Sequence, residues 1–172
     1  VTFKQGFPLF HKKYHGNLNN VHIFKDMALE LKLRGLRGVI VDRGMTCDDN
    51  IALAKELHLK IIGGIKKTTT VVETYLSSIK RDELYSLKYR IPLKNTTVFA
   101  TSFPYEKGKL VVVYNPALEI IKKEQRFEKG VENDDPYIGF SLIYHTTKYD
   151  VAEVVKQYYN KEIVERAFKQ LK

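Results

Sequence analysis

The sequence predicts an α/β domain. Three observations carry that expectation. Gly38, Val39, Ile40 and Val41 form a short apolar run without alternation that ends in Asp42, as in a strand buried on both faces of a sheet. Helix, strand, helix and strand follow one another from Asn20 to Ile65, the rhythm of parallel neighbours joined by right-handed crossovers. Strand character then returns at Ile138–Tyr144, ahead of a final amphipathic helix.

Taken in order, Val1 to Tyr14 mixes aromatic and apolar residues with lysines around Gly6 and Pro8, which reads as strand, turn and strand. Asn19 or Asn20 can cap a helix in which Phe24, Met27, Ala28 and Leu31 share a face, and Gly35 ends it. After the strand at Gly38–Asp42, Thr46 and Asp49 have the spacing of a capping box for a second helix that turns Leu53, Ala54 and Leu57 inward. Ile61, Ile62 and Ile65, interrupted by Gly63 and Gly64, make the next strand. Thr70 and Glu73 can box a short polar helix. Thr96–Thr101 and Lys109–Tyr114, separated by Gly108, read as a β-hairpin. Asn115 followed by Pro116 starts a charged helix running towards Glu132. Asp150 with Glu153 caps a last helix predicted to reach Lys172. The change of rhythm makes 66–135 an insertion between a first part, 1–65, and a last part, 136–172.

With 172 residues, 44% of them hydrophobic, the chain can bury a real core. Lysine and arginine number 29 against 20 acidic residues, a formal charge of +9, which favours an anionic partner such as nucleic acid or a membrane surface. Cys47 is the only cysteine, so an intrachain disulfide is excluded, and the sequence has no CxxC pair or Cys/His cluster of the kind that holds zinc. No apolar run approaches the roughly 20 residues of a membrane helix, and Val1–Lys13 has no apolar leader core. The expectation is a soluble, cytoplasmic protein with no membrane partner. His11 and His15 are four apart, but in strand and loop that spacing does not align side chains. Cys47 has no histidine partner by motif and reads as a small packed residue.

Two carboxylates stand out. Asp42 lies where an apolar strand gives way to Arg43 and Gly44, and in open α/β sheets ligand and metal sites gather past the C-terminal ends of strands. Aspartate is also common there merely as a turn cap. On the final helix Tyr158, Lys161, Glu165 and Lys172 fall within about 60° of arc at 100° per residue. Val164, Phe168 and Leu171 supply the apolar side. A phenol, two ammonium groups and a carboxylate in one stripe suit a metal ligand flanked by phosphate contacts, and equally a solvated helix face.

These segments resemble the DDE transposases of insertion sequences, in the IS-four-like group whose signature runs Tyr, two residues, Arg, three residues, Glu, six residues, Lys. Here YYNKEIVERAFKQLK places Tyr158, Glu165 and Lys172 at that spacing, with Lys161 in the arginine position. VIVDRGM resembles the segment around the family's second acid, with Asp42, Arg43 and Gly44 matching, and FPLFHKKYHGN resembles the strand and Pro-Gly-Asn loop upstream, with His15 in place of proline. The resemblance implies an RNase H-like mixed sheet with flanking helices, interrupted by an α+β insertion at 66–135. It implies a DNA transposase active in transposition and recombination, cutting transposon ends and joining them to target DNA as a homodimer, and nucleoid-associated in the cytoplasm. It further implies two Mg²⁺ (or Mn²⁺) ions on Asp42 and Glu165, and DNA phosphate contacts from Tyr158, Lys161, Lys172 and Arg43. Lysine at position 161 keeps the charge and loses the planar fork of arginine.

The family's first aspartate has no counterpart here: Val1–Lys25 holds no acidic residue, and Asp26 and Glu30 fall on the first predicted helix. The polypeptide alone is therefore expected not to cut or join DNA. The alternatives are a non-catalytic basic DNA-binding module derived from a transposase, and an unrelated basic α/β domain; divalent-metal dependence separates the first reading from both.

Overall fold

A computed structural model describes residues 3–4, 7–8, 12–14, 20–131 and 135–161 of the chain. Its first strands, β1 (Phe3–Lys4) and β2 (Phe7–Pro8), form a short antiparallel pair of their own. Helix α1 (Asn20–Leu33) follows and stops at Gly35, whose φ of +74° is a left-handed conformation that glycine adopts without strain. Strand β3 (Gly38–Val41), helix α2 (Asp48–Glu56) and strand β4 (Lys60–Ile65) complete a parallel β–α–β unit, with Val41 level with Gly63. The chain then makes short helical turns, α3 (Thr69–Val71) running into a π turn at Val72–Leu76, and α4 (Arg81–Leu84). Strands β5 (Arg90–Pro92), β6 (Thr97–Tyr105) and β7 (Gly108–Tyr114), helix α5 (Pro116–Glu128), strand β8 (Phe140–His145) and helix α6 (Val151–Tyr159) finish the described chain.

Strands β3 to β8 make one six-stranded mixed sheet in the order β3-β4-β8-β7-β6-β5, with only the β3–β4 pair parallel. The molecule is thus mixed α/β with helices on both faces. The hairpin β6–β7, within the 66–135 stretch, continues the same sheet as β4 and β8. No described helix is long and apolar enough to cross a membrane.

Strand alternation sends neighbouring residues to opposite faces. On one face Ile62, Val98, Val111, Val113 and Ile143 meet Val154 and Val155 of α6. On the other, Leu142, Leu110 and Val112 meet Val71, Leu76 and Leu84 from the helical turns. Beside them Ile61 and Tyr144 are covered by Phe24 and Ala28 of α1 and Ala54 of α2. Burying such side chains stabilises by about 1.5–3 kcal/mol each, which is why these helices hold their places on the sheet.

The caps differ in how far they follow the sequence reading. Asn115 Oδ1 accepts from the Leu118 N–H at 3.1 Å, and Asp150 Oδ1 accepts from the Glu153 N–H at 2.8 Å, as expected. The Thr46–Asp49 box does not form: α2 is capped from Cys47 with no side-chain bond, because Thr46 instead turns its hydroxyl towards the Asp42 carbonyl at 3.5 Å. Of the last helix, predicted to run on to Lys172, Val151–Tyr159 is helical and Asn160–Lys161 is a turn, and the part beyond Lys161 lies outside the described residues. Asparagine is a weak helix former and sits here as the C-cap.

Candidate functional site

The C-terminal ends of β3 and β4 lie side by side, and the chain past β3 folds back tightly. Arg43–Met45 is a single 3₁₀ turn whose N-cap is Asp42, with Oδ1 accepting from the Arg43 N–H at 2.8 Å. Met45 N–H closes on the Asp42 carbonyl at 2.9 Å. Beneath the turn, the fully buried Asn50 donates its Nδ2 to the Met45 carbonyl at 2.8 Å and ties α2 to the loop. Asp42 is held in place by its backbone while its carboxylate stays 74% exposed.

Across from it stands the end of α6. Lys161 Nζ donates to Asp42 Oδ1 at 2.8 Å and to the Tyr158 hydroxyl at 3.4 Å, and it lies 4.7 Å from the centre of the Tyr158 ring. Residues 119 apart in the chain therefore meet through one ammonium group. The hydrogen bond from Lys161, seconded by the Arg43 N–H, holds the Asp42 carboxyl below the usual carboxylate range. Burial pulls the Lys161 ammonium down, yet Asp42 and Tyr158 together outweigh it and the net shift is upward. Both groups are charged at neutral pH.

Two glycines make the approach close. On one face of β4 a methyl at Gly64 would overlap the Tyr158 hydroxyl and come within 3.2 Å of its Cζ and 3.3 Å of Arg43 Cβ. On the other a methyl at Gly63 would overlap the Thr46 hydroxyl and reach 2.7 Å from Val41 Cγ2. Any side chain at these positions would push either the 43–46 turn or the tip of α6 off the sheet. The sequence reading treated this pair as interruptions of a strand; adjacent glycines inside a strand are themselves the signal of close approach. Thr46 and Asn50 carried no such signal, since their partners are backbone carbonyls of the turn.

Of the candidate residues, Asp42, Arg43, Tyr158 and Lys161 come together here. Glu165 and Lys172, with the apolar positions Val164, Phe168 and Leu171 and the histidines His11 and His15, lie outside the described residues. Asp26 is on α1 and is occupied by the Tyr14 hydroxyl at 2.6 Å and by Lys12, so it serves to tie the chain before α1 to that helix. Among the described residues no three His, Cys, Asp or Glu side chains gather as a metal would require. The described site offers one hard oxygen ligand, Asp42, paired to a lysine. Chemically it can bind an anion through Lys161 or a cation through Asp42, each at the expense of the ion pair. Comparison with protein-family models, curated proteins and solved structures returns no match to this chain.

Proposed function

We propose that the chain is a fragment of the catalytic domain of an insertion-sequence DDE transposase, built on an RNase H-like sheet and acting on DNA. The observation that carries the reading is the meeting of two separately recognised motifs: Asp42 of VIVDRGM and Lys161 of the YYNK segment are in contact at 2.8 Å. A chance resemblance in either segment gives no reason for them to converge at a strand end, where α/β ligand sites form.

In this reading Asp42 and Glu165 are metal ligands, and Tyr158, Lys161, Lys172 and Arg43 hold DNA phosphates. Mg²⁺, when bound, supplies Lewis-acid activation of the oxygen that attacks a phosphodiester. The protein's own part is positioning. An exposed ion pair is worth only about 0.2–1 kcal/mol, so Lys161 can leave Asp42 for a phosphate oxygen at little cost. Two carboxylates of the family's three hold a hard divalent ion poorly, and the polypeptide alone is expected neither to cut nor to join DNA.

The same ion pair favours a second reading, a non-catalytic DNA-binding module in which Asp42 anchors Lys161 and no metal enters. Addition of Mn²⁺ to ¹⁵N-labelled protein distinguishes the two. The transposase reading expects paramagnetic broadening centred on Asp42, Gly64 and Lys161 that is lost in both Asp42→Asn and Glu165→Gln. Broadening that is absent, or that survives Glu165→Gln, refutes it and leaves the binding module.

A further inference from the structure

Helix α5 presents its apolar side to the outside. At about 100° per residue, Ile120, Ile121, Glu124, Phe127 and Glu128 fall within some 120° of arc. Phe127 is 88% exposed, Ile120 58% and Ile121 48%. Only Glu119, on the other side of the helix, is buried, and no residue of α5 belongs to the three apolar clusters of the described core. What holds the helix to the sheet is polar. Glu119 accepts from the Tyr114 hydroxyl at 2.6 Å and from Arg81 at 2.9 Å, and Asn115 caps the first turn. Single exposed apolar residues are ordinary on a protein surface, whereas a helix that buries a carboxylate and turns its isoleucines outward marks a docking face.

A face of matching chemistry lies on α1. Lys25, Leu29, Lys32 and Leu33 occupy about 100° of arc turned away from Phe24 and Ala28, which pack on the sheet. Leu33 is 85% exposed and Leu29 44%. At about 1.5 Å per residue, Ile120 to Phe127 and Lys25 to Leu33 are stripes of similar length, roughly 10–12 Å. α5 sets two carboxylates among its apolar side chains and α1 sets two ammonium groups among its own. No ion pair of the described residues engages Glu124, Glu128, Lys25 or Lys32. Two α5 faces brought together would oppose carboxylates and two α1 faces would oppose lysines, so charge selects α5 against α1.

The fold puts both helices on one side of the sheet. Leu142 and Tyr144, two apart on β8, point to the same face. α1 covers the part around Tyr144, while α5 is pinned to Tyr114, which packs in the cluster of Leu142. A two-fold axis between the helices sets α1 of each copy against α5 of the other and closes the assembly at two. We propose that the chain self-associates through this reciprocal α1–α5 contact. Five apolar side chains from each copy, Leu29, Leu33, Ile120, Ile121 and Phe127, hide on the order of 1,000 Å² at roughly 100 Å² each, near the lower limit of a stable interface before the flanking charges are added. The inference does not rest on the function proposed above, and neither DNA nor metal enters its test.

The test is sedimentation velocity of the native chain from micromolar to millimolar concentration, beside Lys25→Glu/Lys32→Glu, Glu124→Lys/Glu128→Lys, the combination of all four substitutions, and Phe127→Ser. The altered positions are exposed, and glutamate and lysine have similar helix propensities, so the circular dichroism of the charge variants is expected to be native. The native chain is expected to sediment at twice its own mass. Reversing either pair alone sets like charges together and should weaken association about tenfold or more, and reversing both pairs should restore it to near the native strength. Phe127→Ser, which alters no charge, should weaken it as well. A native chain that stays monomeric up to millimolar concentration overturns the proposal. So does a dimer that any of the three weakening variants leaves intact, or one that the combined reversal fails to restore, because either result places the interface on another face.

Discussion

Replacing Gly64 with alanine probes the contact on which the candidate site depends. The added methyl would overlap the Tyr158 hydroxyl, and its 3.2 Å approach to Cζ leaves the ring too close even after the hydroxyl turns aside. Arg43 Cβ at 3.3 Å blocks a sideways escape. Tyr158 packs against the core cluster containing Ile62 and Val154, so it cannot yield without moving the tip of α6. Overpacking of this kind costs about 1–3 kcal/mol. For a chain of this length each kcal/mol lowers the melting temperature by about 2–4 °C, so a fall of roughly 2–12 °C is expected by calorimetry. Specificity comes from a double-mutant cycle. Tyr158→Phe removes the overlapping oxygen, so Gly64→Ala should cost at least about 1 kcal/mol less in that background. Moving Tyr158 should also separate Lys161 from Asp42, seen as a rise of the Asp42 carboxyl pKa by NMR. Additive costs, or a Gly64→Ala protein as stable as the native one, would refute the reasoning that the strand glycine exists to admit Tyr158.

Other outcomes follow from the same contacts. Lys161→Gln should raise the Asp42 pKa towards its ordinary value; because the folded value is depressed, the pair's contribution is complete above the unfolded value near about 3.9 and is lost as pH falls through the folded one, and with Asp42 so exposed it should not exceed about 1 kcal/mol, measured by denaturation at pH 7 and below the Asp42 pKa. Asp150→Ala removes the N-cap of the helix that carries Tyr158 and should lower stability by about 1 kcal/mol in urea titrations. Buried Glu119 accepts from the Tyr114 hydroxyl at 2.6 Å, Lys123 at 2.7 Å and Arg81 at 2.9 Å, and Tyr114, pushed up to about 12 by burial and then by Glu119, should ionise at lower pH in Glu119→Gln when tyrosinate absorbance is followed.

Much of the architecture was legible along the chain because the signals are local. An unalternating apolar run can be read as a strand without knowing its neighbours, as at Val39–Val41, and Asn115–Pro116 and Asp150–Glu153 are caps whose donors lie three residues away. The side-by-side placement of Tyr158 and Lys161 follows from helix spacing alone, and it persists although the helix itself gives way at Asn160. Local pattern was misleading where a side chain had a competing partner: the Thr46 hydroxyl takes the carbonyl of Asp42 in preference to the helix it was expected to cap. β5 and α4 went unread because three or four residues carry too little periodicity to announce themselves.

The sequence by itself determined the kinds of element, their order, the excess of positive charge and the residues able to carry chemistry, all of which depend on spacing within a few turns. Only the tertiary structure decided which strands are neighbours, that Asp42 receives its ammonium partner from a residue 119 positions away, and that Lys67 and α5 line one cavity. The physical reason is the range of the forces involved. Backbone geometry and capping act between near neighbours in the chain, whereas an ion pair or a cavity wall forms wherever burial of distant apolar faces happens to bring side chains within a few ångströms, as Val154 and Val155 bring α6 onto the sheet and Lys161 to Asp42.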